Sequence, residues 1–298
     1  MSSLNLIELA GVPVLVRPPI NTDKPAPLII LWHGFGPPDS EKVLAETLPL
    51  ESVEAWKAYL GLPLFGQRLP EGGTDELMRR QIDDYVLKLL LPIIEQATHE
   101  LPDVVKALQE RFSIDPNKGI GLFGFSAGGF TALLALLESK IPITAAVLAG
   151  ITKDLHTAVN SYERIVQETY SFLKEQYPWV EDKYKKYSWS EKSEAAKQRL
   201  DFIVRAEEIT KRNPLPATLF VHGMQDEIYE VSNTEKLYAA LLSKYEQLNQ
   251  SERLSMQIFR HLAHHIKPAA TDISPEQRQD IATLQETVAN WFSKYLIV

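Results

Sequence analysis

Gly119-Ile-Gly-Leu-Phe-Gly124-Phe-Ser126-Ala-Gly128-Gly-Phe130 is the stretch whose reading decides the fold. An apolar run at 120–123 leads straight into a serine flanked by glycines, and the residues after it, as far as Glu138, repeat their apolar positions at helical spacing. A chain that leaves a strand and enters a helix within two residues must pass through strained backbone angles, which need small neighbours. Gly124 and Gly128 stand two positions either side of Ser126 and meet that need. Gly-x-Ser-x-Gly in a strand–turn–helix setting holds a hydroxyl over a helix N-terminus, where partial positive charge favours an oxyanion. The plainer reading of Ser126 is a helix N-cap. The same residues also parse as Gly119-x-Gly121-x-x-Gly124, the spacing of a dinucleotide-binding turn. Those glycines precede or lie within the strand instead of opening the helix, so that parsing fails.

Outward from this centre, short apolar or β-branched runs at 12–17, 28–32, 58–62, 145–149, 217–222 and 254–259 join 119–123 as predicted strands. Helical spacing predicts helices over 75–97, with Thr74 as N-cap, and over 127–138, 233–248 and 275–295. Strands that read as continuous apolar runs and alternate with helices predict an α/β fold, with a mostly parallel sheet buried on both faces. Residues 151–213 break the rhythm: about sixty residues of helical pattern intervene between two good strands. This segment is expected to be a helical cap inserted into a core made of 1–150 and 214–298, and Pro214 and Pro216 close it.

The chain has 298 residues, 45% of them hydrophobic and 23% charged, enough for one large core with an insertion. A formal charge of −8 argues against binding a nucleic-acid backbone. The one dense basic cluster, Lys183, Lys185 and Lys186, is interleaved with Glu181, Asp182, Tyr184 and Tyr187, as on a solvated helix face. The absence of cysteine excludes disulfides, thiolate zinc sites and cysteine nucleophiles. The first residues show no basic region followed by an apolar one, and the longest apolar stretch, near 86–94, is interrupted by Lys88 and Pro92. A cytoplasmic protein without stable membrane insertion is expected. Nothing in the pattern specifies an oligomeric state.

Three further segments carry chemistry. His33-Gly-Phe35-Gly36 leaves the 28–32 strand, and the amides of Phe35 and Ala127 are the expected pair of donors to an oxyanion. Taken alone this is an ordinary glycine turn; beside Ser126 it reads as an oxyanion loop, with His33 as a structural member. His222-Gly-Met-Gln-Asp226 follows the 217–222 strand, placing Asp226 where a carboxylate can reach a histidine, with Glu227 and Glu230 as competitors. His261-Leu-Ala-His264-His265 follows the last strand and offers three candidate bases. His261 and His265 are four apart, which suits a metal only on a helix. No His-Glu-x-x-His pattern occurs there and Pro268 soon follows, so neither metal nor organic cofactor is expected.

The order Ser126, Asp226, His264, with His-Gly-Phe-Gly upstream and His-Gly-x-x-Asp after a late strand, resembles the α/β-hydrolase superfamily. Within it the chain is similar to dienelactone-hydrolase-like and prolyl-oligopeptidase-like esterases. The resemblance implies an eight-stranded sheet with the site above its C-terminal edge. It also implies an acyl-serine intermediate on Ser126, with His264 as base and Asp226 as orienting acid. His264 is preferred to His265 and His261 because His-Leu-Ala-His resembles the small-residue approach to the family histidine. The match departs at 61–68, where relatives often carry an aspartate, and in the cap, which has no family motif. The implied activity is cleavage of small-molecule carboxylic esters. A peptidase or acyltransferase would use the same three groups, and a silent scaffold acting as a binding protein is a further rival. Tyr162, Tyr170, Phe172, Tyr177, Trp179, Tyr184, Tyr187 and Trp189 in the cap are candidates to line an apolar acyl pocket.

Overall fold

The structure, a computed structural model, describes residues 5–268 and 272–297. Its strands are β1 (Asn5–Leu9), β2 (Val12–Arg17), β3 (Leu28–Trp32), β4 (Trp56–Leu60), β5 (Ile120–Phe125), β6 (Ile143–Ala149), β7 (Ala217–Gln225) and β8 (Leu254–Ala263). They form one 8-stranded sheet in the order β1-β2-β4-β3-β5-β6-β7-β8. β2 runs antiparallel to β1 and β4, and every other neighbouring pair is parallel.

The helices are α1 (Glu41–Thr47), α2 (Gly73–Asp83), α3 (Leu91–Arg111), α4 (Ala127–Glu138), α5 (Leu155–Gln176), α6 (Glu191–Arg199), α7 (Ala206–Thr210), α8 (Val231–Gln247) and α9 (Pro275–Phe292). Strand side chains alternate between the two sheet faces, and both faces are apolar. Ile30, Trp32, Leu122, Leu148 and Phe220 pack with residues of α3, α4 and α8. Ile29, Leu31, Phe123, Val147 and Val221 pack with residues of α1 and α9. Each fully buried aliphatic side chain contributes roughly 1.5–3 kcal/mol, so a charged residue at Leu31 or Leu148 would disrupt one layer outright.

The strands expected at 12–17 and 28–32 match β2 and β3 in full, whereas the one expected at 58–62 lies two residues earlier, as β4. β7 and β8 run past their expected ends, to Gln225 and Ala263, so Asp226 and His264 each follow a strand directly. β1 was not expected. It forms a hairpin with β2 through Ala10 and Gly11, whose φ values of 50° and 76° are those of a tight turn that favours two left-handed residues. Alanine in the first of those positions hides the usual hairpin signal.

The single helix expected over 75–97 is a correction: α2 stops at Asp83, a π-helical turn spans Tyr85–Leu90, and α3 begins at Leu91. Asp84 causes the break, since its side chain accepts from the Leu87 amide and caps the new turn. Thr74 lies inside α2, whose N-cap is Gly72, with φ of 93°. Residues 151–213 hold α5, α6 and α7, and their only described β pairing is an isolated bridge between Asp154 and Asp201. Arg212, at the end of this segment, donates to the carbonyls of Leu136, Ser139 and Ile141, closing the end of α4 where the helix leaves its last carbonyls unpaired.

Candidate active site

Parallel strands aim their C-terminal ends at one edge of the sheet, and β5, β7 and β8 deliver Ser126, Asp226 and His264 there. Ser126 has φ 51° and ψ −116°, backbone strain of order 1–3 kcal/mol that the surrounding structure must hold in place. Its amide donates to Ala149 O at 2.9 Å, and the amide of Gly128 donates to His33 O at 3.0 Å. The second bond fastens the 33–36 loop to the turn. A Cβ on Gly128 would sit 2.5 Å from the carbonyl oxygens of both His33 and Trp32, and one on Gly124 would sit 2.1 Å from Gly128 O. Both glycines are therefore required by close backbone approach.

The three side chains form one hydrogen-bonded line. His264 Nε2 lies 3.0 Å from Ser126 Oγ, and His264 Nδ1 lies 2.8 Å from Asp226 Oδ2. Asp226 Oδ1 accepts from the amides of Ile228 at 2.9 Å and Tyr229 at 2.7 Å, which fixes the carboxylate plane. Burial alone would raise the Asp226 carboxyl, but the hydrogen bonds from His264 and the Tyr229 amide hold it below the usual carboxylate range. An ionised Asp226 requires the hydrogen of His264 on Nδ1, which leaves Nε2 as an acceptor facing the serine hydroxyl. Phe125 and Tyr229 pack against the imidazole, with ring centroids 5.3 and 5.4 Å away.

His222 backs this line from beneath. Its Nε2 lies 3.0 Å from Tyr229 O and 3.3 Å from Asp226 Oδ2, its Nδ1 lies 3.0 Å from Thr234 Oγ1, and burial lowers its imidazole. His33 plays the structural part expected of it: its Nδ1 pairs with Gly34 O at 2.8 Å and its Nε2 accepts from the Leu62 amide at 3.1 Å. Burial pushes this imidazole down to about 4, so it stays neutral and keeps both bonds. The amides of Phe35 and Ala127, at the loop and at the first residue of α4, have no hydrogen-bond partner among the described residues.

The competing residues stand apart from the line. His261 lies within β8, its amide bonded to Asp280. His265 Nδ1 lies 3.4 Å from Glu227 Oε1, and Glu227 Oε2 accepts from the backbone amide of His264 and not from its ring. Glu230 is exposed at the start of α8. Among the described residues, no group of three or more His, Cys, Asp or Glu side chains could hold a metal ion.

Ser126 and His264 open into a pocket of about 130 Å³, whose walls include Phe35, Tyr85, Tyr162, Ile165 and Tyr229. Of the eight aromatic residues singled out in 151–213, Tyr162 alone lines it. Tyr162 stacks on Tyr85, with centroids 4.2 Å apart and planes at 4°, and its hydroxyl donates to Gln81 O at 2.8 Å. Tyr187 donates to Asp84 Oδ1 at 2.7 Å. Tyr85 was missed by sequence reasoning, which placed it inside a continuous helix; Asp84, a capping residue in mid-pattern, was the available signal.

A mostly parallel sheet of eight strands, sandwiched by helices and carrying a strained serine between strand and helix, is the α/β-hydrolase architecture. A model of the prolyl oligopeptidase family matches residues 95–297, and the chain belongs to that family of serine hydrolases. Solved structures share the fold at low identity. A Thermus thermophilus protein is 20% identical, with a TM-score of 0.60 over 95% of this chain and 97% of its own. The acylaminoacyl peptidase of Pyrococcus horikoshii is 16% identical with a TM-score of 0.61 over 99% of this chain, which spans only 41% of that protein. A Pyrococcus furiosus esterase is 13% identical, with a TM-score of 0.61 over 99% of this chain and 91% of its own. Curated proteins give no match. Among the described residues, no helix is long and apolar enough to cross a membrane.

Proposed function

We propose that this protein is a serine esterase that cleaves carboxylic esters of small molecules through an acyl-serine intermediate. Ser126 Oγ attacks the ester carbonyl while His264 Nε2 takes its proton, and Asp226 stabilises the imidazolium that forms. The tetrahedral oxyanion lies against the amides of Phe35 and Ala127, a pair of donors worth several kcal/mol of barrier. His264 then gives its proton to the leaving alkoxide, and water repeats the sequence to release the acid. Residues 151–213 act as a cap on a core made of 1–150 and 214–298, and contribute Tyr162 to the substrate pocket.

The observation that carries this reading is the continuous contact from Ser126 Oγ to His264 at 3.0 Å and from His264 to Asp226 at 2.8 Å, opening into a pocket. A pocket of about 130 Å³ suits one small acyl group better than an extended peptide. Family membership favours one second reading, peptide-bond cleavage by the same three groups. Turnover of p-nitrophenyl acetate and of alanine p-nitroanilide, measured side by side, separates the two. Ester hydrolysis that disappears in Ser126→Ala supports the esterase; anilide cleavage without ester preference replaces it with a peptidase.

A further inference from the structure

One wall of the pocket is a pair of stacked tyrosines. Tyr162 reaches it from α5 and Tyr85 from the turn that follows Asp84, and the two rings lie flat against each other. Both are buried, with 7% of their surface exposed. Further contacts beyond the stack hold the two segments that carry these rings. The Tyr162 hydroxyl is bonded to Gln81 O, at the end of α2. Tyr85 follows Asp84, whose Oδ1 takes both the Leu87 amide and the Tyr187 hydroxyl. The wall thus joins the 73–90 segment to the 151–213 segment by a stack and two phenol hydrogen bonds.

We propose that this tyrosine pair gauges the acyl chain, and that the substrates are esters of short carboxylic acids, acetyl to about valeryl. The inference rests on the esterase reading and adds the substrate class to it. At roughly 30 Å³ for each water-sized group, the pocket of about 130 Å³ takes four or five heavy atoms of the acyl part. An octanoyl chain needs about twice that volume, so its last carbons must leave the pocket or displace a wall residue. Ile165, one turn of α5 beyond Tyr162, narrows the same space.

The test is a series of p-nitrophenyl esters from acetate to decanoate with the full-length protein. kcat/KM is expected to be highest between acetate and valerate and at least about tenfold lower for octanoate, since each methylene that a tight pocket accepts or rejects is worth roughly that much. An optimum at octanoate or longer overturns the proposal while leaving the esterase reading intact. Loss of all ester turnover alongside anilide cleavage overturns both. Tyr162→Ala should raise the octanoate-to-butyrate ratio about tenfold, and Ile165→Ala, which keeps the tyrosine stack, should raise it in the same direction. An unchanged ratio in both folded variants shows that the wall does not set the chain length.

Discussion

Replacing Asp226 with asparagine separates the proposed relay from the fold that holds it. The side chain is only 2% exposed and its two oxygens serve different partners. Oδ1 accepts from the Ile228 and Tyr229 amides, and an asparagine carbonyl can keep both bonds. Oδ2 faces His264 Nδ1 at 2.8 Å, and there the asparagine presents N–H donors. His264 must then turn Nδ1 into an acceptor, which moves its hydrogen to Nε2 and points it at Ser126 Oγ. The base is blocked without being removed. Exchange of a carboxylate for an amide in this role costs about 10³–10⁴ in kcat, or about 4–5.5 kcal/mol of barrier. The stability change should be smaller, about 1–3 kcal/mol for one charge-assisted hydrogen bond replaced by a neutral one. The assay is kcat/KM on p-nitrophenyl acetate together with urea unfolding. A folded Asp226→Asn protein that keeps more than a tenth of wild-type activity would refute the relay. Glu227→Gln, at a side chain that among the described residues bonds to the His264 backbone and pairs with His265, should lose less than about tenfold.

His264→Ala should lose at least about 10³ in kcat, whereas His265→Ala should stay within about tenfold; the reverse order would move the base to His265. Gly128→Ala forces a Cβ to 2.5 Å from two backbone carbonyl oxygens, so thermal unfolding should show a loss of several kcal/mol, or no folded protein. His33 titrates near about 4 when folded against an ordinary 6.5, so the unfolded chain binds more protons between those values. Stability is therefore greatest above pH 6.5 and falls as pH drops towards 4, by about 3 kcal/mol from this residue alone. Urea unfolding across that range should show a shallower fall in His33→Gln, and an equal fall would contradict the assignment of the slope to His33.

The central strands are legible in the amino-acid sequence because β3, β5 and β6 are buried on both faces and so carry unbroken apolar runs. β1 escaped notice because its Leu6 is exposed and Ala10-Gly11 lacks the asparagine or aspartate that marks a tight hairpin. Candidate site residues were legible where chemistry attaches to a strand end: Ser126 after β5, Asp226 after β7 and His264 after β8. The choice of His264 among three histidines drew on family resemblance, since local pattern does not say which ring faces inward. Of the pocket wall, Tyr162 was among the candidates, whereas Tyr85 and the pairing of the two rings were not legible. Tyr85 and Tyr162 lie far apart in the chain, in segments that show only helical spacing, and their stack is a tertiary contact that no periodicity encodes.

The most direct test of the proposed chemistry is the mass of the intact protein after reaction with a fluorophosphonate, followed by peptide mapping. One adduct per chain is predicted, on the peptide that contains Ser126, with none on Ser126→Ala and much slower labelling of His264→Ala. Wild-type protein that stays unlabelled, or an adduct that persists in Ser126→Ala, would contradict the account.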